Sequence, residues 1–444
     1  MVMQAINDSI LNVLHEDVMQ DSKKRVVRNA CTKNDISTIS RCFEAECANP
    51  YVFSVDNKTQ AAVSQEQSGR CWIFSAMNVL REMVAKKYSI KHFELSQNYI
   101  AFYDKLEKAN WFMECALKEI DSPSDSEVMR FLLQSPVGDG GQWNMLVSIV
   151  EKYGLCPKSA FPETYQSSHT RNMNSILNLR LRKFVADTRK LKAQGKEEEI
   201  PAYKEETLKE IYSLLTSCFG VPPKSFTFEY YDEKDVPHAE YDITPLDFYH
   251  TWLGVDLHDY VNVIHSPTQD KPYYSKYTVK YLGNVVDGEP ISLLNIPLED
   301  FKEAIIAQLK AGELVWFGCD CGKDGDREKG LWDDQAFDYE GTFDMHLDMS
   351  KADMLQYGQS AMNHAMVFTG VNLVDGKPTR WKIENSWGNK IANEGYFIAS
   401  DTWFDKYMYV AAIHKKYLSD KALKALESET KEVAPWDPFG TLAD

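Results

Sequence analysis

The chain has 444 residues, of which 44% are hydrophobic and 26% are charged. These values are ordinary for a folded globular protein, and the length allows one large domain or two to three smaller ones. The formal net charge of −17 disfavours non-specific binding to nucleic acids and anionic membranes, because both carry negative charge.

The sequence predicts neither a secretory signal nor a membrane span. The first 20 residues mix acidic and apolar side chains, and no basic region is followed by an apolar one. No stretch approaches the roughly 18 uncharged apolar residues of a spanning helix. The nine cysteines have no regular close spacing, which favours reduced thiols over a disulfide framework. We therefore expect a cytoplasmic protein that does not bind a membrane.

Helical patterns dominate the first half of the chain. An N-terminal helix is predicted over 6–19, and CWIFSAMNVLREMVAKKYSI predicts a helix that begins at Cys71. ELSQNYIAFYDKLEKANWFMECALKEI predicts another helix. A further one, over about 142–153, follows a glycine-rich loop at 138–141. Residues 168–219 are strongly helical and predict a pair of helices.

The second half is richer in strands. ELVWFGCD, NHAMVFTGVNLV, RWKIENSW and YMYVAAIHKK are short runs of apolar and aromatic residues between turns. Helices first and strands later predict the α+β fold class. We predict five parts: an N-terminal arm (1–55), a helical lobe (56–165), an inserted helical and irregular subdomain (166–290), a strand-rich lobe (291–430) and a C-terminal tail (431–444).

Cys71 lies in the stretch QEQSGRCWIFSA, at the predicted start of a helix. A helix N-terminus lowers the pKa of a thiol and so favours the reactive thiolate. Taken alone, however, a cysteine in an apolar helix is more often a buried packing thiol. A catalytic interpretation needs a histidine nearby and a group that orients the histidine.

His364 and Asn385 are the candidates for these two roles. His364 opens the apolar run in SAMNHAMVFTGV, and Asn385 follows the strand RWKIE, so that neighbouring strands could place them side by side. Gln65 lies six residues before Cys71, close enough for a short loop to bring its amide beside the Cys71 N–H. Two donors so placed would stabilise the oxyanion of an acyl-transfer reaction.

The order Q-x5-C-W, N-H-A-x-V and N-S-W-G resembles that of papain-like cysteine peptidases. SGRCW, MSKADMLQYGQSAMNHAMVFTGV, DTWFDKY and the ending PWDPFGTLAD are similar to the bleomycin hydrolase and aminopeptidase C branch. The resemblance implies a papain-like two-lobed fold, with a helical lobe, a β-barrel-like lobe, a helical insertion and terminal arms.

The resemblance also implies roles for individual residues. It gives catalytic roles to Cys71 as nucleophile, His364 as general base and acid, Asn385 as the group orienting the imidazole, and Gln65 as oxyanion donor. It gives supporting roles to Trp387, which shields the His–Asn hydrogen bond, and to Gly140 and Gly141, whose backbone aligns the substrate.

The tail carries the remaining implied site residues, Ala443 and Asp444. In the resembling branch the last residues run along the cleft, block long peptides and pair with a free α-amine. Here Phe439 stands where a smaller or more flexible apolar residue is usual, and Asp444 extends the chain by one residue. An extended tail could also be displaced, so an oligopeptide endopeptidase is the alternative.

The resemblance thus implies a cysteine aminopeptidase of peptides that assembles as a homohexamer and needs no metal or organic cofactor. Cys319-x-Cys321 and Asp344-x-His346 are weak metal patterns, because neither has a second pair at ligand spacing. A basic helix at 180–192 leaves a nucleic-acid-binding or partner-binding scaffold as a hypothesis of another class, although the net charge argues against it.

Overall fold

The computed structural model of the chain describes residues 5–443. Among these residues, the first half holds helices and the single two-residue strand Val55–Asp56, and the second half mixes helices and strands. The helices are α1 Asp8–Gln20, α2 Ser22–Cys31, α3 Ile36–Ser40, α4 Phe43–Ala48, α5 Cys71–Tyr88, α6 Gln97–Lys118, α7 Glu127–Gln134, α8 Trp143–Tyr153, α9 Tyr165–Ser168, α10 Arg171–Ala193, α11 Ile200–Phe219, α12 Pro245–Phe248, α13 Leu298–Lys310, α14 Tyr339–Phe343, α15 Lys351–Gln356, α16 Asp401–Tyr407 and α17 Asp420–Leu426.

The strands are mostly short. They are β1 Val55–Asp56, β2 Phe226–Tyr231, β3 Pro237–Ile243, β4 Tyr260–Ile264, β5 Ser275–Val279, β6 Leu293–Asn295, β7 Val315–Cys319, β8 Gly325–Asp326, β9 Leu331–Trp332, β10 His364–Val374, β11 Lys377–Glu384, β12 Tyr396–Ser400, β13 Met408–His414 and β14 Thr430–Val433.

The predicted helices and strands are confirmed, with one correction in the N-terminal arm. The arm was expected to hold a single helix, but three further short helices, α2 to α4, follow α1. Side chains that cap helix starts explain two of them. Asp21 accepts hydrogen bonds from the N–H groups of Lys23 and Lys24, and Asp35 accepts one from Ser37.

One large sheet organises the strand-rich part. Its strands follow the order β14-β5-β6-β4-β13-β7-β10-β11-β12-β9-β8, with β1 paired to β10. The central strand β10 pairs antiparallel with β7, where His364 lies opposite Cys319, and with β11, where Val367 lies opposite Glu384. The sheet includes β4 and β5, which the predicted five-part division assigns to the insertion; that division remains a prediction.

A hydrophobic core lies on each face of the sheet, because successive side chains of a strand point to opposite faces. In β10, Ala365 and Val367 contribute to the core shared with the early helices, whereas Met366 and Phe368 contribute to the other core. Burial on both faces explains why β10 reads as a continuous apolar run rather than an alternating one.

Helix α5 packs against the helical side of β10 and joins the two halves of the molecule. The hydroxyl of Ser75 donates to the carbonyl of Ala365 (2.8 Å), and the indole N–H of Trp316 donates to the carbonyl of Trp72 (3.1 Å). Both bonds are buried, so the start of α5 is held against β7 and β10. None of the helices within residues 5–443 combines the length and apolar character needed to cross a bilayer.

Candidate active site

Cys71 is the first residue of α5, as predicted, and its side chain is buried. The backbone N–H of Ala365 donates to the Cys71 sulfur at 3.4 Å. Ala365 is the second residue of β10, and its carbonyl also holds Ser75 on α5. The thiol therefore lies where the start of α5 meets β10, in contact with the residue that follows His364 in the sequence.

His364 opens β10 and Asn385 follows the last residue of β11, as the two motifs predicted. The His364 Nε2 lies 2.8 Å from the Asn385 Oδ1, which also accepts the Ser386 N–H at 2.8 Å. Because Oδ1 can only accept, the imidazole donates from Nε2 and leaves Nδ1 free to take a proton. Trp387 stacks on the imidazole, with ring centroids 5.1 Å apart, which is a position from which it could shield this bond from water.

Burial dominates the ionisation of both reacting groups. Desolvation raises the pKa of the Cys71 thiol to about 11, despite hydrogen bonds from the Ala365 and Trp72 N–H groups that lower it. Desolvation likewise lowers the pKa of His364 to about 4, against the hydrogen bond to Asn385. The N–H of Trp72 at the start of α5 does lower the thiol pKa, as expected of a helix N-terminus, but desolvation by burial outweighs it.

Proton transfer from Cys71 to His364 avoids part of the free-energy cost of forming a buried charge. Moving the proton from the Cys71 sulfur to the His364 imidazole creates opposite charges beside each other without adding or removing a proton. The N-terminus of α5 then stabilises the thiolate. The two side chains are thus suited to act as one unit that holds a single proton across the neutral range.

Gln65 is held at the cleft by hydrogen bonds at both ends of its amide. Its Oε1 accepts the Ser386 hydroxyl at 2.6 Å, and its Nε2 donates one hydrogen to the Ser68 carbonyl at 2.6 Å. Its backbone N–H donates to the Ser386 carbonyl at 2.9 Å. The second amide hydrogen is left for a ligand. Ser386, which the sequence interpretation missed, thus links Gln65 to the loop that carries Asn385.

A buried ion pair, also missed, lies behind this loop. Arg81 on α5 and Glu384 on β11 are 3.1 Å apart with side chains 1% and 0% exposed. Asn78 on α5 donates to the same Glu384 oxygen at 2.8 Å. Desolvation raises the pKa of Glu384 to about 7, against the Arg81 charge. The pair joins the helix of Cys71 to the strand that ends at Asn385. Glu384 directly precedes Asn385 in the sequence, but a charged residue is usually solvated, so only the packed fold shows that these two side chains are buried and paired.

Gly140 and Gly141 lie in the loop before α8, beside the start of α5. A Cβ on Gly141 would come within 2.4 Å of the Trp72 ring, so only glycine fits there. The indole N–H of Trp72 donates to the Asp139 carbonyl at 2.6 Å. The Gly141 N–H donates to the Leu442 carbonyl at 3.1 Å. The glycines therefore face the tail across the cleft.

The tail is anchored at several points before it reaches Gly141. Asp437 pairs with Lys271 at 2.9 Å, and the buried Phe439 follows it. Leu442 is also buried, and a Cβ on Gly318 of β7 would come within 2.8 Å of it. Ala443 is half-buried at the end of this path. Asp444, the last predicted site residue, lies outside the described residues.

Contacts connect most of the predicted site residues within 5–443: His364 contacts Asn385 and Trp387, and Cys71 is bonded by the residue after His364. Gln65 is bonded to Ser386, the neighbour of Asn385, and Gly141, which follows Gly140, is bonded to Leu442, the neighbour of Ala443. Arg70, immediately before the nucleophile candidate, is buried and forms a two-pronged pair with Glu163 (2.8 and 3.3 Å), so it shapes the loop. Within the described residues no cluster of three or more His, Cys, Asp or Glu side chains is arranged to hold a metal ion.

Comparison with known proteins identifies the family. The sequence profile of the peptidase C1-like family matches residues 5–440. An aminopeptidase C of Lactobacillus delbrueckii subsp. lactis is 47% identical over 422 residues, covering 94% of each chain. The bleomycin hydrolase of Homo sapiens is 37% identical over 450 residues, covering 99% of each. The crystal structure of pepw from Lactobacillus rhamnosis HN001 superposes with a TM-score of 0.96 at 44% identity, covering 98% of each chain. The predicted resemblance and papain-like α+β fold are confirmed: the chain belongs to the peptidase C1-like family.

Proposed function

We propose that this protein is a cysteine aminopeptidase that removes residues from the N-terminus of peptides. The arrangement of Cys71 beside His364, with His364 bonded to Asn385, carries this proposal, because it is the nucleophile–base–orienter geometry of thiol catalysis. Full-length similarity to relatives named aminopeptidase C supports it.

The chemistry follows from the positions of four groups. The Cys71 thiol passes its proton to His364 Nδ1 while sulfur bonds to the scissile carbonyl carbon, and the carbonyl oxygen becomes an oxyanion. The free amide hydrogen of Gln65 and the Cys71 N–H stabilise that charge. His364 then gives the proton to the leaving amine, and the C–N bond breaks. Water, deprotonated by His364, attacks the thioester, and the acid product leaves as sulfur regains its proton.

The tail supports an exopeptidase rather than an endopeptidase. The Leu442 carbonyl accepts the hydrogen bond of the Gly141 N–H. A longer peptide that binds as an added strand would need the same main-chain donor, so the tail competes with it. A substrate then has room for few residues before the scissile bond. We propose that its free α-amine binds beside the tail at Ala443, and that Asp444 contributes to this binding.

Two substrates that differ only in their N-terminus test the proposal. An amino-acid arylamide with a free amine should be hydrolysed, whereas the same arylamide with a blocked amine should react at least about tenfold more slowly, because a charge pairing is lost. If the protein preferred the blocked substrate, the aminopeptidase proposal would be wrong, and the endopeptidase alternative of the same family would take its place.

Cys71→Ala tests the nucleophile. Hydrolysis should disappear, and Cys218→Ala, which removes a half-buried thiol on α11, is the matched control that should keep full activity. Hydrolysis that survives in a folded Cys71→Ala variant would refute cysteine catalysis by this residue.

We also propose the homohexamer and the cytoplasmic location. The free state of all nine cysteines supports a reducing compartment. The helix α1 supports assembly, because it buries no side chain within the protomer and exposes Leu11, Val13, Leu14 and Met19. Light scattering after gel filtration should give six times the chain mass for the natural protein. It should give a lower mass after Leu11→Glu and Leu14→Glu, and an unchanged hexamer in that variant would remove α1 from the interface.

The nucleic-acid hypothesis finds little support in the insertion. The basic residues of α10 are largely paired with acidic side chains: Arg180 with Glu210, and Lys183 with Asp187. Such pairs leave little free positive charge for a phosphate backbone.

A further inference from the structure

Asp139 is a largely buried carboxylate to which the proposed chemistry gives no role. Its side chain is 12% exposed and lies 2.6 Å from the Lys105 ammonium on α6. The carboxylate also accepts the Gly69 N–H (2.9 Å), the Thr170 hydroxyl (2.5 Å) and the Asn174 amide (2.8 Å). These partners come from four places in the fold: α6, the loop before Cys71, the residue preceding α10, and α10 itself.

The lysines of α6 hold the same loop through its backbone. Lys105 donates to the Gly138 carbonyl at 2.6 Å, and Lys108 donates to the Gly140 carbonyl at 2.5 Å. Lys108 is in turn paired with Asp104 at 2.8 Å, and both side chains are buried. The carbonyls on both sides of Asp139 are therefore fixed from the helical lobe.

Burial by itself would favour a neutral Asp139. Desolvation raises the pKa of this carboxyl group, but the charge and hydrogen bond of Lys105, together with Thr170 and Asn174, hold it well below its usual range. The charged form of Asp139 depends on each of these partners, because each one offsets part of the free energy lost when a carboxylate is buried away from water.

The bonds of Asp139 reach the peptide-facing backbone directly. Its own carbonyl accepts the Trp72 indole N–H, and Gly140 and Gly141 follow it in the chain. The Gly141 N–H points at the place that Leu442 occupies. Since Gly69 precedes Cys71 by two residues, one carboxylate joins the loop of the nucleophile to the loop of the substrate glycines.

We propose that Asp139 is a positioning residue that holds Gly140 and Gly141 in register with Cys71, and that the inserted helix α10 takes part through Thr170 and Asn174. The inference rests on the proposed peptidase function and adds a reason for the insertion. It makes α10 part of the substrate-aligning machinery instead of a surface addition.

Comparing two reactions of Cys71 separates positioning from general damage. Iodoacetamide alkylates the thiol without needing the tail, whereas an amino-acid arylamide binds beside the tail that the Gly141 N–H holds through Leu442. In Asp139→Asn, KM for the arylamide should rise about tenfold, because a displaced glycine loop weakens the position of the tail by about the free energy of one hydrogen bond. The alkylation rate should not fall, because the contacts of Cys71 and His364 remain and the lost Asp139 charge had only raised the pKa of the Cys71 thiol.

Two further variants complete the test. Thr170→Val removes one partner of Asp139 while leaving the Lys105 pair, so it should raise KM in the same direction by a smaller factor. It replaces Asp139→Asn as the test if that variant does not fold. Asp187→Asn is the matched control, because Asp187 also lies on α10 and binds lysines but is partly exposed and lies 13 residues beyond Asn174 along the helix. It should leave both rates unchanged.

The outcomes are distinct. A folded Asp139→Asn or Thr170→Val variant with unchanged KM would overturn the inference, and so would an equal fall in turnover and alkylation. If instead the natural protein hydrolysed no arylamide, or if its hydrolysis survived complete alkylation of Cys71, the proposed function itself would fail.

Discussion

Removing the Phe439 side chain should open the cleft to blocked peptides. Phe439 is 2% exposed and packs edge-on against Tyr277, with ring centroids 5.7 Å apart. The Lys271 ammonium lies 5.1 Å from the centre of the Phe439 ring. The backbone carbonyl of Phe439 accepts a hydrogen bond from the Gln142 side-chain amide at 3.4 Å. The substitution Phe439→Ala keeps the backbone bond and removes the side-chain anchor.

The magnitude follows from the lost burial. Burying a phenylalanine side chain stabilises by about 1.5–3 kcal/mol, and the edge-on contact with Tyr277 adds about 0.5–1.5 kcal/mol. Allowing for the backbone contacts that remain, a loss of about 2 kcal/mol raises the fraction of undocked tails by about 30-fold. An N-blocked peptide needs the Gly141 N–H that the docked tail occupies, so its kcat/KM should rise by up to that factor.

The assay compares an N-blocked peptide arylamide with an amino-acid arylamide on the same preparation, after intact-mass measurement has shown whether Asp444 is present. The free-amine substrate should change by no more than about twofold, because the docked tail still predominates. Trp436→Ala is the matched control, since Trp436 is 47% exposed and should leave both rates unaltered. If both substrates gained or lost equally, the tail would not be the element that excludes blocked peptides.

Three other perturbations address the rest of the cleft. Gln65→Ala should lower kcat for the arylamide by about 10²–10³, measured per alkylatable thiol; a loss below tenfold would remove Gln65 from the oxyanion site. Glu384→Ala removes the acceptor of Asn78 and leaves the buried Arg81 paired only with Glu82 (3.0 Å), so it should reduce the free energy of unfolding in urea by about 2–3 kcal/mol, whereas a change under about 1 kcal/mol would show that the pair with Glu384 contributes little. Because burial lowers the pKa of His364 to about 4, kcat/KM should stay level as the pH falls below 6.5 and decline only towards pH 4. An acid limb of kcat/KM centred near pH 6.5 would contradict the buried, coupled pair. The same pKa shift lowers the stability of the fold as the pH falls from 6.5 towards 4, because the unfolded chain takes up a proton on His364 that the folded protein does not.

Local patterns were sufficient to predict the elements of the site. Cys71 begins a helix, His364 begins a strand and Asn385 follows one, because hydrophobic period and turn residues act over a few positions. The apolar run of β10 likewise predicted a strand, and the structure explains the continuous run by burial on both faces. Motif order then indicated which cysteine and which histidine belong together.

Interactions between distant segments could not be predicted in this way. The link from Asp139 to Gly69 and α10, and the pair of Arg81 with Glu384, join residues between 31 and 303 positions apart. Charged residues at such positions are usually solvated, and only the packed fold shows that these are buried and paired. Two of the additional helices of the N-terminal arm, α3 and α4, were missed because segments of five and six residues are too short to show a period.

The ionisation of the site is the clearest example of this difference. The position of Cys71 at a helix N-terminus is a property of the sequence, and it predicted a lowered thiol pKa. The packing of α5 against β10 removes the Cys71 sulfur and the His364 ring from water, and desolvation outweighs the helix terminus. The sequence by itself determined which residues can react and in what order they occur. The tertiary structure decided their charge state and the position of the tail, because both depend on how much water and which neighbours the fold leaves around each group.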